Sequence, residues 1–122
     1  TGVWLESLDR RSLLDALRRR ACYATSGVPI VLGFRVNGAE MGAELGRVDS
    51  LEIDLFVDGT NTIRRAELVS AEGVVFPVES EGARVRFATR LSCEDIGLKT
   101  FLFLRIEQVD DEVAWSSPVW FE

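Results

Sequence analysis

Clustered carboxylates are the first residues of this 122-residue chain that could do chemistry. Residues 110–112 read Asp-Asp-Glu, and carboxylate oxygens are the ligands that Ca²⁺ prefers in proteins. Asp49, Glu52 and Asp54 form a second acidic group. The first group can instead be explained as a solvated hairpin tip, and the second as the solvent-exposed face of a strand. We therefore predict that neither group binds a metal.

Nucleophilic catalysis lacks its usual base, because the chain contains no histidine. This excludes Ser-His-Asp and Cys-His arrangements. Cys22 and Cys93 are too few for a zinc tetrad or a disulfide framework. We predict that both are buried apolar side chains, with a single disulfide as the alternative. Gly38, Gly42 and Gly46 are four residues apart but lack the Lys-Ser/Thr ending of a phosphate-binding loop. We therefore predict no catalytic residue, no metal ligand and no cofactor.

Arginines and tryptophans could instead serve binding. Arginines 10, 11, 18, 19 and 20 give one short segment five positive charges. They could contact an acidic partner, or they could form a solvated helix face with cations at its negative end. Trp4, Trp115 and Trp120 could line a carbohydrate platform, but tryptophans more often anchor a core or an interface.

The composition limits the class of protein. The length is that of one domain, and 47% hydrophobic residues argue against disorder. The net charge of −6 opposes binding to nucleic acid, which depends on attraction to phosphate. No apolar run approaches the ~20 residues of a membrane span. We therefore expect neither a nucleic-acid partner nor a membrane partner.

One amphipathic helix is predicted over about residues 9–20. Asp9 is a suitable N-cap, and Leu8 and Leu13 have the spacing of a hydrophobic staple. Leu13, Leu14 and Leu17 form an apolar stripe that continues to Ala21. We predict that this stripe, together with Arg18, is an interface.

After Gly27 the pattern is that of β-strands, with residues 22–25 as a further candidate. Leu51, Ile53, Leu55 and Val57 alternate with acidic residues, as in a half-buried strand. Seven short strands and frequent turns predict an antiparallel immunoglobulin-like β-sandwich preceded by one N-terminal α-helix. The predicted core residues are Leu51, Ile53, Leu55, Val85, Phe87, Leu102, Leu104 and Ile106. We place the division between residues 1–29, a helical segment, and residues 30–122, the sandwich.

The chain resembles the C-terminal region of PHP-superfamily metallohydrolases, most closely the carbaryl-hydrolase-like branch. Two groups of motifs carry the resemblance. The first is similar to the last barrel segment of that family and comprises Thr1-Gly2-Val3-Trp4, the run from Leu13 to Arg20, and Tyr23-Ala24-Thr25-Ser26-Gly27. The second is similar to the family's C-terminal β-domain and comprises Phe34-Arg35-Val36-Asn37-Gly38, Met41-Gly42, and the run from Trp115 to Phe121.

The resemblance implies a parent protein with a β/α barrel that binds divalent metals through His and Asp residues. Those ligands would precede Thr1, so no metal-binding or catalytic residue carries over to this chain. We expect a non-catalytic β-sandwich accessory domain with a structural or interface role. Its partner would be the catalytic barrel of the parent or a second copy of the chain, and for the isolated chain we favour the second copy. The alternative is an independent ligand-binding module, for example for carbohydrate, with Trp115 and Trp120 as its platform.

Overall fold

The computed structural model describes residues 1–71, 73–92 and 101–121, and within these ranges it contains one helix and eleven strands. Helix α1 spans Arg10–Arg18. The strands are β1 (Gly2–Val3), β2 (Cys22–Thr25), β3 (Val31–Val36), β4 (Ala39–Glu40), β5 (Ser50–Asp58), β6 (Ile63–Ser70), β7 (Gly73–Val78), β8 (Arg84–Ser92), β9 (Phe101–Gln108), β10 (Val113–Ser116) and β11 (Val119–Trp120).

The strands form two antiparallel sheets. The first sheet has the order β1-β2-β10-β9-β6-β7, and β11 also pairs with β9. The second sheet has the order β4-β3-β5-β8. A tight turn at Asn37 and Gly38, both with positive φ, joins β3 to β4. The predicted antiparallel sandwich with one N-terminal helix is confirmed.

The core lies between the sheets, where inward-facing side chains of both sheets form one cluster. Phe34 and Leu55 come from the second sheet, and Leu68, Leu104 and Ile106 come from the first. Strand β9 is central, since it pairs with three strands. Period-2 alternation therefore identifies the buried face, because successive side chains of a strand point to opposite faces.

The predicted core list is confirmed except at one position. Seven of its members are buried: Leu51, Ile53, Leu55, Val85, Leu102, Leu104 and Ile106. Phe87 is only half-buried, because it lies on β8 at the edge of its sheet, where it contacts Phe76. The register of β6 and β7 shifts between Leu68 and Val69, and Val74 is consequently 49% exposed.

Residues 1–29 contribute strands to the first sheet. Strand β2 pairs with β1 on one side and with β10 on the other. The hydroxyl of Tyr23, on β2, donates to the carbonyl of Ile30 across 2.9 Å. The segment that we separated at residue 29 therefore shares a sheet with the strands that follow it.

The last predicted strand is divided in two at Pro118. Strand β10 pairs with the C-terminal half of β9, and β11 pairs with its N-terminal half. Where β10 leaves the ladder, the buried hydroxyl of Ser116 accepts a hydrogen bond of 2.8 Å from the amide of Leu104. A side chain thus replaces the backbone acceptor that the break removes, because a buried amide without a partner is costly.

Candidate functional site

Helix α1 begins where the sequence predicts. Asp9 has an extended backbone, and its carboxylate accepts a hydrogen bond of 2.8 Å from the amide of Ser12. This bond, with a second from the Ser7 hydroxyl, lowers the pKa of Asp9 below its ordinary value. The carboxylate therefore has to be ionised for the cap to be fully formed.

The cap predicts a pH dependence of α1. Because the native pKa of Asp9 is lowered, the stabilisation that its ionised cap gives to α1 is fully present above about pH 4. This stabilisation is lost as the pH falls through the native pKa of Asp9. We expect the amides of α1 to lose hydrogen-exchange protection, measured by NMR, as the pH is lowered through this range. Asp9→Asn keeps a side-chain acceptor that does not titrate. Any loss of hydrogen-exchange protection in this variant should therefore not follow the titration of a carboxylate. Identical pH profiles for both proteins would contradict this assignment.

Helix α1 ends earlier than predicted, at Arg18, because Arg20 adopts a left-handed backbone with φ of 60°. Arg20 Nε donates to the carbonyl of Gly42 across 2.9 Å, and the guanidinium lies 5.0 Å from the ring centroid of Trp120. The amide of Ala21 donates back to the carbonyl of Ala16. Tertiary contacts of one arginine thus terminate the helix two residues before the predicted end.

The helix packs on the sandwich through a face that the leucine pattern does not identify. Ala16 is fully buried, whereas Leu13, Leu14 and Leu17 are 39–44% exposed. Leu8 is 95% exposed, so the predicted hydrophobic staple is wrong. Ala16 therefore lies on the buried face of α1, and the three leucines stay partly exposed. We call Leu13, Leu14 and Leu17 the leucine stripe.

Arginines border the leucine stripe. Arg10, Arg11 and Arg18 line one shallow depression together with Leu14 and Asp15. The nearest carboxylate on the helix, Asp15, is 4.0 Å from Arg18 and is itself exposed. We call these three arginines the arginine border. The helix therefore offers an exposed apolar strip with a positive margin, as an interface with an acidic rim would require.

The predicted acidic groups lie where the patterns placed them. Residues 110–112 form the tip of the β9–β10 hairpin, and each of their carboxylates has a partner. Asp110 accepts from Gln108, Asp111 from Arg64, and Glu112 from the Ser26 hydroxyl. The bond from Gln108 lowers the pKa of Asp110.

The second acidic group lies outside the core, since Asp49 precedes β5 while Glu52 and Asp54 lie on its exposed face. In the part of the chain that the structure describes, no three His, Cys, Asp or Glu side chains gather as metal ligands would. The carboxylates of residues 110–112 are instead held by hydrogen bonds and ion pairs.

The tryptophans occupy three different environments. Trp115 and Trp120 both pair with outward-facing residues of β9, Trp115 with Arg105 and Trp120 with Phe101. Trp115 is 38% exposed, but Arg20 covers one face of Trp120. The indole of Trp4 donates to the carbonyl of Leu32 on β3, across 2.9 Å, so it joins the N-terminus to the second sheet. The carbohydrate platform stays a hypothesis in which Trp115 offers the more exposed ring.

Cys22 is half-buried, not fully buried as predicted, because β2 lies near the margin of the first sheet. Its sulfur is 3.8 Å from the hydroxyl of Ser117. Cys93, the other cysteine, lies outside the described residues. No described helix is long and apolar enough to cross a membrane.

Comparison with known proteins gives relatives but no family. No protein-family model matches the chain, and no solved structure does so significantly. The chain is 30% identical to an uncharacterized protein of Chlamydia trachomatis and 31% identical to one of Chlamydia pneumoniae. An uncharacterized protein of Chlamydia muridarum is 30% identical. The matches cover 100% of this chain but 22% of each relative, so the chain spans about a fifth of their length.

Proposed function

We propose that this chain is a non-catalytic accessory domain that docks through α1 onto the remainder of a larger polypeptide. The observation that carries the proposal is the leucine stripe, whose three members are 39–44% exposed on a helix that is otherwise anchored to the sandwich. The length of the relatives supports it, since more than three quarters of each lies outside the region matched here.

The exposed area favours a covalently linked partner over a second copy of the chain. Burying the remaining area of three leucines would contribute only about 2–4 kcal/mol, or about 4–8 kcal/mol where both copies of a symmetric dimer bury theirs. Free association costs about 4–15 kcal/mol of translational and rotational freedom. A linked partner has already lost most of that freedom and is present at a high effective concentration. The stripe is therefore large enough for docking within one polypeptide and small for a free homodimer.

The arginine border specifies the chemistry of the docking surface. Three arginines against the single Asp15 give α1 a positive margin in a chain of net charge −6. A complementary surface would carry an apolar patch rimmed by carboxylates, because rim charges set orientation and association rate. In a PHP-like metal-dependent hydrolase, which the resemblance implies as the parent, this surface would belong to the barrel. Metal binding and hydrolysis would also belong to the barrel, and the present residues would cover or orient it.

A double substitution tests the docking surface. Leu13→Glu/Leu17→Glu, introduced into the intact parent polypeptide, should lower the ratio of docked to undocked states by about tenfold or more. The loss follows because each glutamate would have to be desolvated within an apolar contact. Hydrogen exchange of α1 in the intact polypeptide measures this change, because docking protects the helix from solvent.

Val31→Glu/Val109→Glu is the matched control, since these valines are 39% and 47% exposed but lie away from α1. This control should leave docking unchanged. Equal loss in both variants would contradict a role for α1. Sedimentation at micromolar concentration should show that the isolated chain is a monomer. A dimer that Leu13→Glu/Leu17→Glu dissociates would assign the stripe to a second copy and overturn the linked partner.

A further inference from the structure

Strand β8 is the long open edge of the sandwich. In the described part of the chain, β8 runs for nine residues and β5 is the only strand that pairs along it; its other side makes one isolated bridge, between Arg84 and Glu81. The other three sheet edges are short or obstructed, as is common where proteins prevent strand pairing. Strands β1 and β4 have two residues each, and β7 contains Pro77, which has no amide hydrogen. An added strand therefore finds its longest backbone ladder at β8.

Charges on the outer face of the second sheet alternate from strand to strand. Glu40 on β4 pairs with Arg35 on β3, 3.4 Å away. The outward charges of β5 are all acidic: Glu52, Asp54 and Asp58. The outward charges of β8 are all basic: Arg84, Arg86 and Arg90. The sequence of signs is thus negative, positive, negative, positive, and the open edge ends on a positive strand.

The arginines of β8 outnumber the carboxylates that hold them. Arg84 and Arg86 share Asp58, at 3.5 and 2.9 Å, and Arg90 pairs with Glu52. The three arginine side chains are 55–80% exposed, and the Arg86 guanidinium also donates to the carbonyls of Val57 and Val85. A strand beside β8 could therefore pair its own carboxylates with them without breaking the pairs to β5.

The same charges oppose pairing between two copies of this chain. The fully overlapping antiparallel register, centred on Ala88, would place Arg86 opposite Arg90 of the second copy. Like charges directly opposite each other on neighbouring strands are destabilising. The edge is therefore selective, because charge repulsion disfavours pairing with a second copy of β8 and charge attraction favours pairing with an acidic strand.

A groove of mixed polar and apolar lining adjoins the N-terminal half of β8. Phe76 on β7 and Phe87 on β8 are both half-buried, with ring centroids 5.8 Å apart, in the wall of a groove of about 750 Å³. Glu79 and Glu81 also line this groove, near Arg84. Apolar side chains of an added strand could cover the phenylalanines. Its carboxylates would be placed toward Arg86, which lines the same groove as the two glutamates, and toward Arg90, which lies outside the groove.

We propose that the outer edge of β8 binds an extended polypeptide segment with carboxylates at alternate positions, which adds to the second sheet as a fifth strand. Backbone hydrogen bonds would supply affinity, and the alternate side chains would supply specificity, as in other cases of strand addition. This surface is separate from the leucine stripe, so its failure or success is independent of docking through α1.

The test uses a fluorescein-labelled nonapeptide in which glutamate alternates with threonine or valine, and the full 122-residue chain. We expect saturable binding by fluorescence anisotropy, with hydrogen-exchange protection gained in β8. Arg86→Gln/Arg90→Gln should weaken binding roughly 2- to 30-fold, as expected for two lost cross-strand charge pairs. Arg35→Gln is the matched control on an interior strand of the same face and should leave affinity unchanged.

Two further measurements separate strand addition from charge attraction alone. Arg86→Glu/Arg90→Glu, with its fold checked by circular dichroism, should invert the preference so that a peptide with lysine at the alternate positions binds better. A glutamate peptide N-methylated at the alternate residues whose N–H groups face β8 should not bind, because it cannot complete the ladder. Absence of binding at about millimolar peptide, equal binding of the N-methylated peptide, or an unchanged charge preference in the reversed variant would each overturn the proposal.

Discussion

Leu104→Ala should lower the free energy of unfolding by about 2–5 kcal/mol, the range for truncation of a fully buried leucine. Leu104 lies in the middle of β9, opposite Leu68 of β6, and is completely buried in the cluster between the two sheets. Its backbone is held on the other side by Ser116. Because neighbouring strands fix the surrounding backbone, the core has little freedom to collapse into the cavity.

Denaturant titration measures this loss. Leu104→Met preserves the volume and should cost less than about 1.5 kcal/mol. Val109→Ala truncates a side chain of the same sheet region that is 47% exposed, and it should cost little. A loss below about 1 kcal/mol for Leu104→Ala would mean that β9 does not form the centre of the core.

Gly42→Ala should cost about 2–4 kcal/mol, because the substitution combines an unfavourable backbone angle with overpacking. Gly42 has φ of 93°, in the region that residues with a side chain rarely adopt. A Cβ atom there would lie 2.4 Å from the carbonyl oxygens of both Arg19 and Arg20. Both contacts are to backbone, so neither can be relieved by turning a side chain.

The effect of Gly42→Ala should be concentrated at the end of α1. Gly42 accepts the hydrogen bond from Arg20 and donates its own to the carbonyl of Pro118. Thermal unfolding should show the loss of stability, and hydrogen exchange should show that residues 16–21 lose protection first. Gly46→Ala is the matched control, since a Cβ atom there would meet nothing within 4 Å. Equal stabilities of the two variants would contradict a structural requirement for glycine at position 42.

The two proposed surfaces suit partners of different chemistry. The leucine stripe is apolar with a charged margin and is small, so it suits a partner that is already tethered. The edge of β8 offers backbone groups and a positive column, so it suits an extended acidic segment. Variants of Leu13 and Leu17 should not affect peptide binding at β8, and variants of Arg86 and Arg90 should not affect docking through α1.

The sequence by itself determined the elements whose cause is local. The N-cap at Asp9 depends on an amide three residues away, and the alternation of Leu51, Ile53 and Leu55 depends only on the geometry of one strand. The tip at residues 110–112 and the strand at residues 22–25 were likewise predictable. In each case the responsible residues lie within a few positions of one another, so the pattern is complete in the sequence.

Only the tertiary structure decided what depends on distant residues. Arg20 ends α1 because Gly42 and Trp120 hold it, and Leu8 is exposed because the helix packs through Ala16. The arginines of β8 alternate visibly in the sequence, but their place on an open edge follows from strand order. Strand order arises from pairing between segments far apart in the chain, and a local pattern of alternation is compatible with many such orders.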